Sequence, residues 1–133
     1  MEKGGKNMKR QDSLVLDEKD DRAVQLFTDL GMPKNLAKTL MYVSQFDECR
    51  SADVEQAVDL RQPEVSIAMQ EMRRRGWAKK RDVKKKGKGR PTHVYKLTKN
   101  LPEILKSFEQ EKLKEVENVK RGMSELRSII KSR

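Results

Sequence analysis

Apolar positions recur every three or four residues through most of the chain, alternate over one short stretch, and return to helical spacing in a long final run. Residues 61–77 organise the rest. Val65, Ala68, Met69 and Met72 form one apolar stripe there, which predicts a helix over residues 63–75. Pro63 suits its first turn, where a missing N–H costs nothing. Gly76 suits the C′ position that ends it, and Arg73, Arg74 and Arg75 fall in the last turn, where the helix dipole favours cations. The opposite face carries Gln62, Glu64, Ser66, Ile67, Gln70 and Arg73 or Arg74. A buried stripe beneath a polar, positively ended face fits a major-groove reader, and it fits an ordinary amphipathic helix as well.

Upstream, residues 1–19 are polar, contain Gly4 and Gly5, and keep no sustained period, so they read as a flexible tail or an arm. Over residues 20–30, Val24, Phe27 and Leu30 share a face with Leu26 beside them, a short helix ended by Gly31. Pro33 opens a second helix over residues 34–46, with Leu36, Leu40, Val43 and Phe46 inward and Ala37 at a close-packing position. Cys49 follows in a connector. Ser51 can cap a third helix whose first turn holds Asp53 and Glu55 and whose inner stripe is Val54, Val58 and Leu60. Residues 61–63 then form a tight turn into the organising helix.

Downstream the period changes to two. Residues 77–83 start a strand with Trp77 and Val83 toward the core. Residues 92–98 alternate, Val94 on one face and His93, Tyr95 and Leu97 on the other. Between them, Gly87, Gly89 and Pro91 mark a hairpin tip, so the pair makes a wing. Residues 101–132 read as one long helix with Pro102 in its first turn. Leu101, Leu105 and Phe108 form a first stripe with Ile104 beside it. Val116, Val119, Met123, Leu126 and Ile130 then repeat at spacings of three, four, three and four, an a/d seam of little more than two heptads. Lys112 and Glu115 occupy the continuing positions of the first stripe and interrupt it. The seam either joins a second copy of the chain, the reading preferred here, or packs back on its own domain.

Charge sharpens this picture. Of 133 residues 39% are charged, and the formal net charge is +10. Residues 73–99 hold thirteen basic side chains against Asp82 alone, while the remainder is slightly acidic. A basic quarter on a near-neutral chain is a nucleic-acid footprint. No apolar run reaches the ~20 residues of a membrane span, and the polar start lacks a signal-peptide core. With one cysteine and one histidine, neither a disulfide nor a metal site nor a cofactor is expected, and a cytoplasmic location is. The same scarcity, with no glycine-rich phosphate loop and no carboxylate pair in an apolar setting, argues against an enzyme.

The pattern Leu60, Gln62, Pro63, Val65, Ser66, Met69, Met72, Gly76, Trp77 resembles the recognition helix of winged-helix bacterial and archaeal regulators of the MarR, ArsR and TrmB groups. Leu30, Gly31, Met32, Pro33, Ala37, Lys38 and Leu40 look like the entry helix of the archaeal TrmB-like branch. The similarity covers roughly residues 26 to 99. It departs at Glu55, where a small residue is usual, at Asp59, where glycine is usual, and at Ile67, where many relatives carry arginine. The large sugar-binding domain of full TrmB regulators and the paired thiols of metal-sensing ArsR proteins are missing, so no small-molecule effector carries over. Lys88, Gly89, Arg90 and Pro91 resemble the core of the AT-hook, with lysine in place of its first arginine. That makes Arg90 a candidate for minor-groove insertion, against a solvated tip touching phosphates only.

The expected fold is mostly α with a small β-hairpin wing: a flexible tail (1–19), a winged helix-turn-helix domain (20–99) and a long C-terminal dimerisation helix (100–133). The expected function is sequence-specific binding of double-stranded DNA by a homodimeric transcriptional regulator. Gln62, Glu64, Ser66, Ile67 and Gln70 are the candidate base readers. Arg61, Arg73, Arg74, Lys79, Lys80, Arg81, Lys84, Lys85, Lys86, Lys88 and Arg90 are candidates for phosphate or minor-groove contact. Val116, Val119, Met123, Leu126 and Ile130 would form the dimer seam. A winged-helix adaptor subunit, or an RNA-binding protein using the same basic wing, are the competing readings.

Overall fold

A computed structural model describes residues 17–83 and 92–133, and the tail (1–16) and hairpin tip (84–91) lie outside the described residues. Helix α1 (Glu18–Asp29) starts two residues before the expected domain edge. Asp17 and Asp20 each accept a hydrogen bond from the other's backbone N–H, closing a capping box. Burial raises the Asp20 pKa, whereas the Asp20 backbone N–H lowers that of Asp17. The helix ends in a Schellman turn at Gly31, whose φ is 102°. The Met32 N–H donates to the Phe27 carbonyl at 2.9 Å, and that of Gly31 to Thr28 at 3.0 Å. This turn corrects the expected core. Val24, Phe27 and Met32 are buried, while Leu30 and Leu26 are exposed, because the turn carries Leu30 outward and Met32 in.

Helix α2 (Lys34–Val43) buries Leu36, Ala37, Leu40 and Val43 as the spacing requires, and Thr39 and Tyr42 besides. It stops before Phe46, which is only half-buried in the following turn, its ring 4.9 Å from that of Tyr42. Cys49 does not sit in a plain connector. It is buried in strand β1 (Cys49–Arg50), paired antiparallel with a later strand. Helix α3 (Ser51–Val58) buries Val54 and Val58. Ser51 is its first residue and not its cap; Arg50 occupies the cap, and the Ser51 hydroxyl donates to Glu55 at 3.2 Å. Asp59 then takes a left-handed conformation (φ 56°, ψ 53°), one that glycine adopts at lower cost than aspartate.

Helix α4 (Gln62–Arg74) buries Val65, Ala68, Met69 and Met72, the stripe read from the sequence. It closes with a second Schellman turn at Gly76 (φ 79°), the Trp77 N–H reaching the Met72 carbonyl at 2.8 Å. Strands β2 (Ala78–Val83) and β3 (Thr92–Leu97) pair antiparallel and, with β1 on the far side of β3, make a three-stranded sheet. Thr98 fastens the base of the wing to the helix end. Its N–H donates to the Trp77 carbonyl at 2.7 Å and its hydroxyl to that of Gly76 at 2.6 Å. Trp77, Ala78, Val94 and Tyr95 are buried, and Val83, expected to face the core, is exposed near the outer end of β2.

A second unit begins at Leu101. It is the single helix α5 (Leu101–Lys131). Ile104 and Phe108 are its buried side chains; Leu101 is half-buried and Leu105 exposed, so the first stripe is rotated by about one residue from the expected one. The architecture is a winged helix-turn-helix, mostly α, with a small antiparallel sheet and a long C-terminal helix.

Candidate nucleic-acid interface

The stripe that buries α4 dictates what it displays. With Val65, Ala68, Met69 and Met72 turned inward, Gln62, Ser66, Gln70 and Arg73 run along the outer face at three- and four-residue steps, with Ile67 beside them. All five are exposed, Ile67 at 66%. An isoleucine standing that far into solvent on an otherwise polar strip offers methyl groups where its neighbours offer donors and acceptors. Glu64 is placed differently. It is half-buried, and its carboxylate accepts the Arg61 backbone N–H at 2.8 Å, fixing the start of the helix. Arg61, exposed in the extended N-cap conformation, supplies a cation at the helix entrance.

The three arginines at the other end are not equivalent. Glu71 accepts from Arg74 at 2.9 and 2.5 Å and from Arg75 at 2.6 Å. The Arg74 hydrogen bonds, followed by those of Arg75, lower the Glu71 pKa to about 2. Arg75 lies over the Trp77 ring at 4.9 Å, so it serves the interior. Arg74 keeps an exposed guanidinium but shares its charge with Glu71. Arg73 is exposed, and its charge helps to lower the pKa of Asp82 on the wing.

On the wing, β2 and β3 run in a register that sets Lys79 directly opposite Lys96 and Arg81 opposite Val94, with Arg50 of β1 opposite Val94 on the other edge. Strand alternation puts these four cations on one face. Two are neutralised: Arg81 reaches Glu48 at 2.7 Å and Arg50 reaches Asp53 at 3.3 Å. Lys79 and Lys96 are exposed and face each other, an arrangement that costs free energy until an anion lies between them. On the other face Lys80 is half-buried, and Asp82 meets His93 at 2.7 Å, a hydrogen bond that holds the Asp82 carboxyl low. Burial raises the Tyr95 pKa.

Of the sequence-derived residues, Gln62, Ser66, Ile67, Gln70 and Arg73 come together on one helix face, and Lys79 and Arg81 on one sheet face. Lys84, Lys85, Lys86, Lys88 and Arg90 lie outside the described residues. The sequence reading carried the basic wing over residues 79–96 without singling out Lys96. Its two-residue spacing from Val94 was the available signal, but only the register shows that it faces Lys79. The seam residues Val116, Val119, Met123, Leu126 and Ile130 are 48–65% exposed. Among the described residues, no three His, Cys, Asp or Glu side chains are grouped to hold a metal, and no helix is long and apolar enough to cross a membrane.

No protein-family model matches the chain, and no curated protein matches it. Among solved structures it is similar to a transcriptional regulator homologue protein from Pyrococcus horikoshii OT3. The two share 20% identity with a TM-score of 0.46, over 75% of this chain and 95% of that one.

Proposed function

We propose that the protein binds double-stranded DNA with sequence preference, as a dimeric transcriptional regulator of the winged-helix kind that the TrmB, MarR and ArsR groups represent. The observation that carries the reading is the division of α4. Its inner stripe is wholly buried, its outer strip sets Gln62, Ser66, Ile67 and Gln70 in solvent, and the sheet that follows it exposes Lys79 and Lys96 side by side. In this reading α4 lies in the major groove. The amides of Gln62 and Gln70 and the Ser66 hydroxyl meet base edges, and Ile67 meets a thymine methyl. Lys79, Lys96, Arg61 and Arg73, with the basic residues of the tip, attract phosphates without regard to sequence. Glu64 acts by capping the helix. The major groove of A-form RNA is too narrow for such a helix, which sets the RNA reading behind.

The wing separates DNA binding from the adaptor reading. Replacing Lys79, Lys84, Lys85, Lys86, Lys88, Arg90 and Lys96 with alanine should weaken binding to cognate and random duplex alike. The slope of log affinity against log salt should shrink by about 0.9 for each phosphate contact removed. Fluorescence anisotropy across a salt series reads this directly. Absence of duplex binding by the unmodified chain at low salt would favour the adaptor, and an unchanged slope would take the wing out of the interface.

A further inference from the structure

The face of α5 bearing Val116, Val119, Met123, Leu126 and Ile130 is exposed along its whole length. We propose that a second copy of α5 covers it in parallel, in-register alignment, so that both winged-helix units attach at the same end of the pair. The proposal rests on the dimeric reading above and adds the direction of the seam.

The spacing assigns Val116, Met123 and Ile130 to a positions and Val119 and Leu126 to d positions. Val116 and Ile130 at a with Leu126 at d suit a two-stranded coil, with Met123 and Val119 departing from that pattern. The flanking charges set the direction. Glu115 falls at g, and Lys120 and Arg127 at e; all three are exposed. In a parallel pair each g residue faces the e residue five positions on in the partner, so Glu115 meets Lys120 twice, once on each side of the two-fold axis. In the antiparallel alignment that overlaps the whole seam, e residues face e residues, and Lys120 meets Arg127 twice. The first arrangement gains two ion pairs, and the second suffers two cation–cation contacts. The hydrogen bond from Lys112 to Glu115 at 3.0 Å lies along the same helix and leaves the carboxylate exposed toward the flank.

The direction has an opposite-sign test in the full-length chain. If the pair is parallel, Lys120→Glu sets glutamate against Glu115 and should weaken the dimer roughly tenfold at low salt, since two exposed pairs change sign. Glu115→Lys should weaken it similarly, and an equimolar mixture of the two variants should form heterodimers in preference to either homodimer. If the pair is antiparallel, Lys120→Glu faces Arg127 and tightens the dimer. Sedimentation equilibrium reads both, with circular dichroism confirming that the helix persists. Val119→Cys, at a d position inside α5, should form an interchain disulfide in a glutathione buffer only in the parallel pair. The antiparallel alignment moves residue 119 opposite residue 130, ~16 Å away along the helix. Tightening by Lys120→Glu, no effect of it, or no Val119→Cys cross-link in a chain that still dimerises would overturn the direction alone. An unmodified chain that stays monomeric at micromolar concentration would overturn the dimeric reading itself.

Discussion

Glu71 restrains the cationic end of α4, and removing its charge should make the protein less stable and a stronger, less discriminating DNA binder. In Glu71→Gln the carboxylate that accepts from Arg74 and Arg75 becomes a neutral amide of the same shape. The Arg74 pair is exposed on its arginine side and contributes about 0.3–0.5 kcal/mol. The Arg75 pair is mostly shielded, with side-chain exposures of 17% and 28%, and a charge-assisted bond there contributes about 1 kcal/mol. The combined loss of about 1–1.5 kcal/mol should lower Tm by roughly 4–10 °C for a domain of this size. The loss is pH-dependent. Because the folded pKa of Glu71 is depressed to about 2 from 4.5, its stabilisation is complete above pH 4.5 and declines as pH falls toward 2. The stability gap between unmodified chain and variant should therefore narrow on acidification across that window. Removing the carboxylate also makes this end of α4 one unit more positive, which should raise affinity for duplex of any sequence at low salt. Urea titrations at several pH values and anisotropy at several salt concentrations measure the two effects. A gap that stays constant from pH 7 to pH 3 would refute the ion-pair accounting, and an unchanged affinity at low salt would show that this end of α4 does not face DNA.

Two glycines give contrasting predictions. Gly76→Ala should cost about 1–2 kcal/mol, because its φ of 79° is strained for an L residue although the space around an added Cβ is open; a thermal melt that does not move would deny the turn its role. Gly122→Ala, in an unstrained helix with nothing within 4 Å of the new Cβ, should stabilise α5 by about 0.8–1 kcal/mol, seen as higher helicity by circular dichroism. If it disrupts the dimer instead, the partner approaches at that point more closely than a g position requires.

How much of this was legible in the sequence depended on how local each feature is. The buried stripe of α4, its stop at Gly76 and the existence of strand β3 follow from spacing within a dozen residues, and all stand in the structure, although the burial along β3 does not alternate, since adjacent Val94 and Tyr95 are both buried. Features set by turns or distant partners did not. Leu30 and Met32 exchange places because the Schellman turn reverses the chain between them. Strand β1 has two residues, too few for any period, and exists only because Tyr95 and Val94 lie beside it. The same distance hid Lys96 opposite Lys79 and Glu48 beside Arg81. In α5 Phe108 is buried as expected, but Ile104 takes the place of Leu105 because a stripe of three residues fixes a helix face only to within one position. In the candidate interface, the outer face of α4 was readable as the complement of its core. The separate duties of Arg73, Arg74 and Arg75 were not, since they depend on where Glu71 and Trp77 stand.

The central claim is that the outer strip of α4 reads base sequence. The most direct measurement compares Gln70→Ala and Ser66→Ala with the unmodified chain on two duplexes, one selected by the protein from random sequence and one scrambled. The account predicts that affinity for the selected duplex falls by about 1–3 kcal/mol for Gln70→Ala and by less for Ser66→Ala, while affinity for the scrambled duplex and the salt slope stay nearly constant. Equal losses on both duplexes, or no loss on either, would mean that these exposed side chains do not touch base edges.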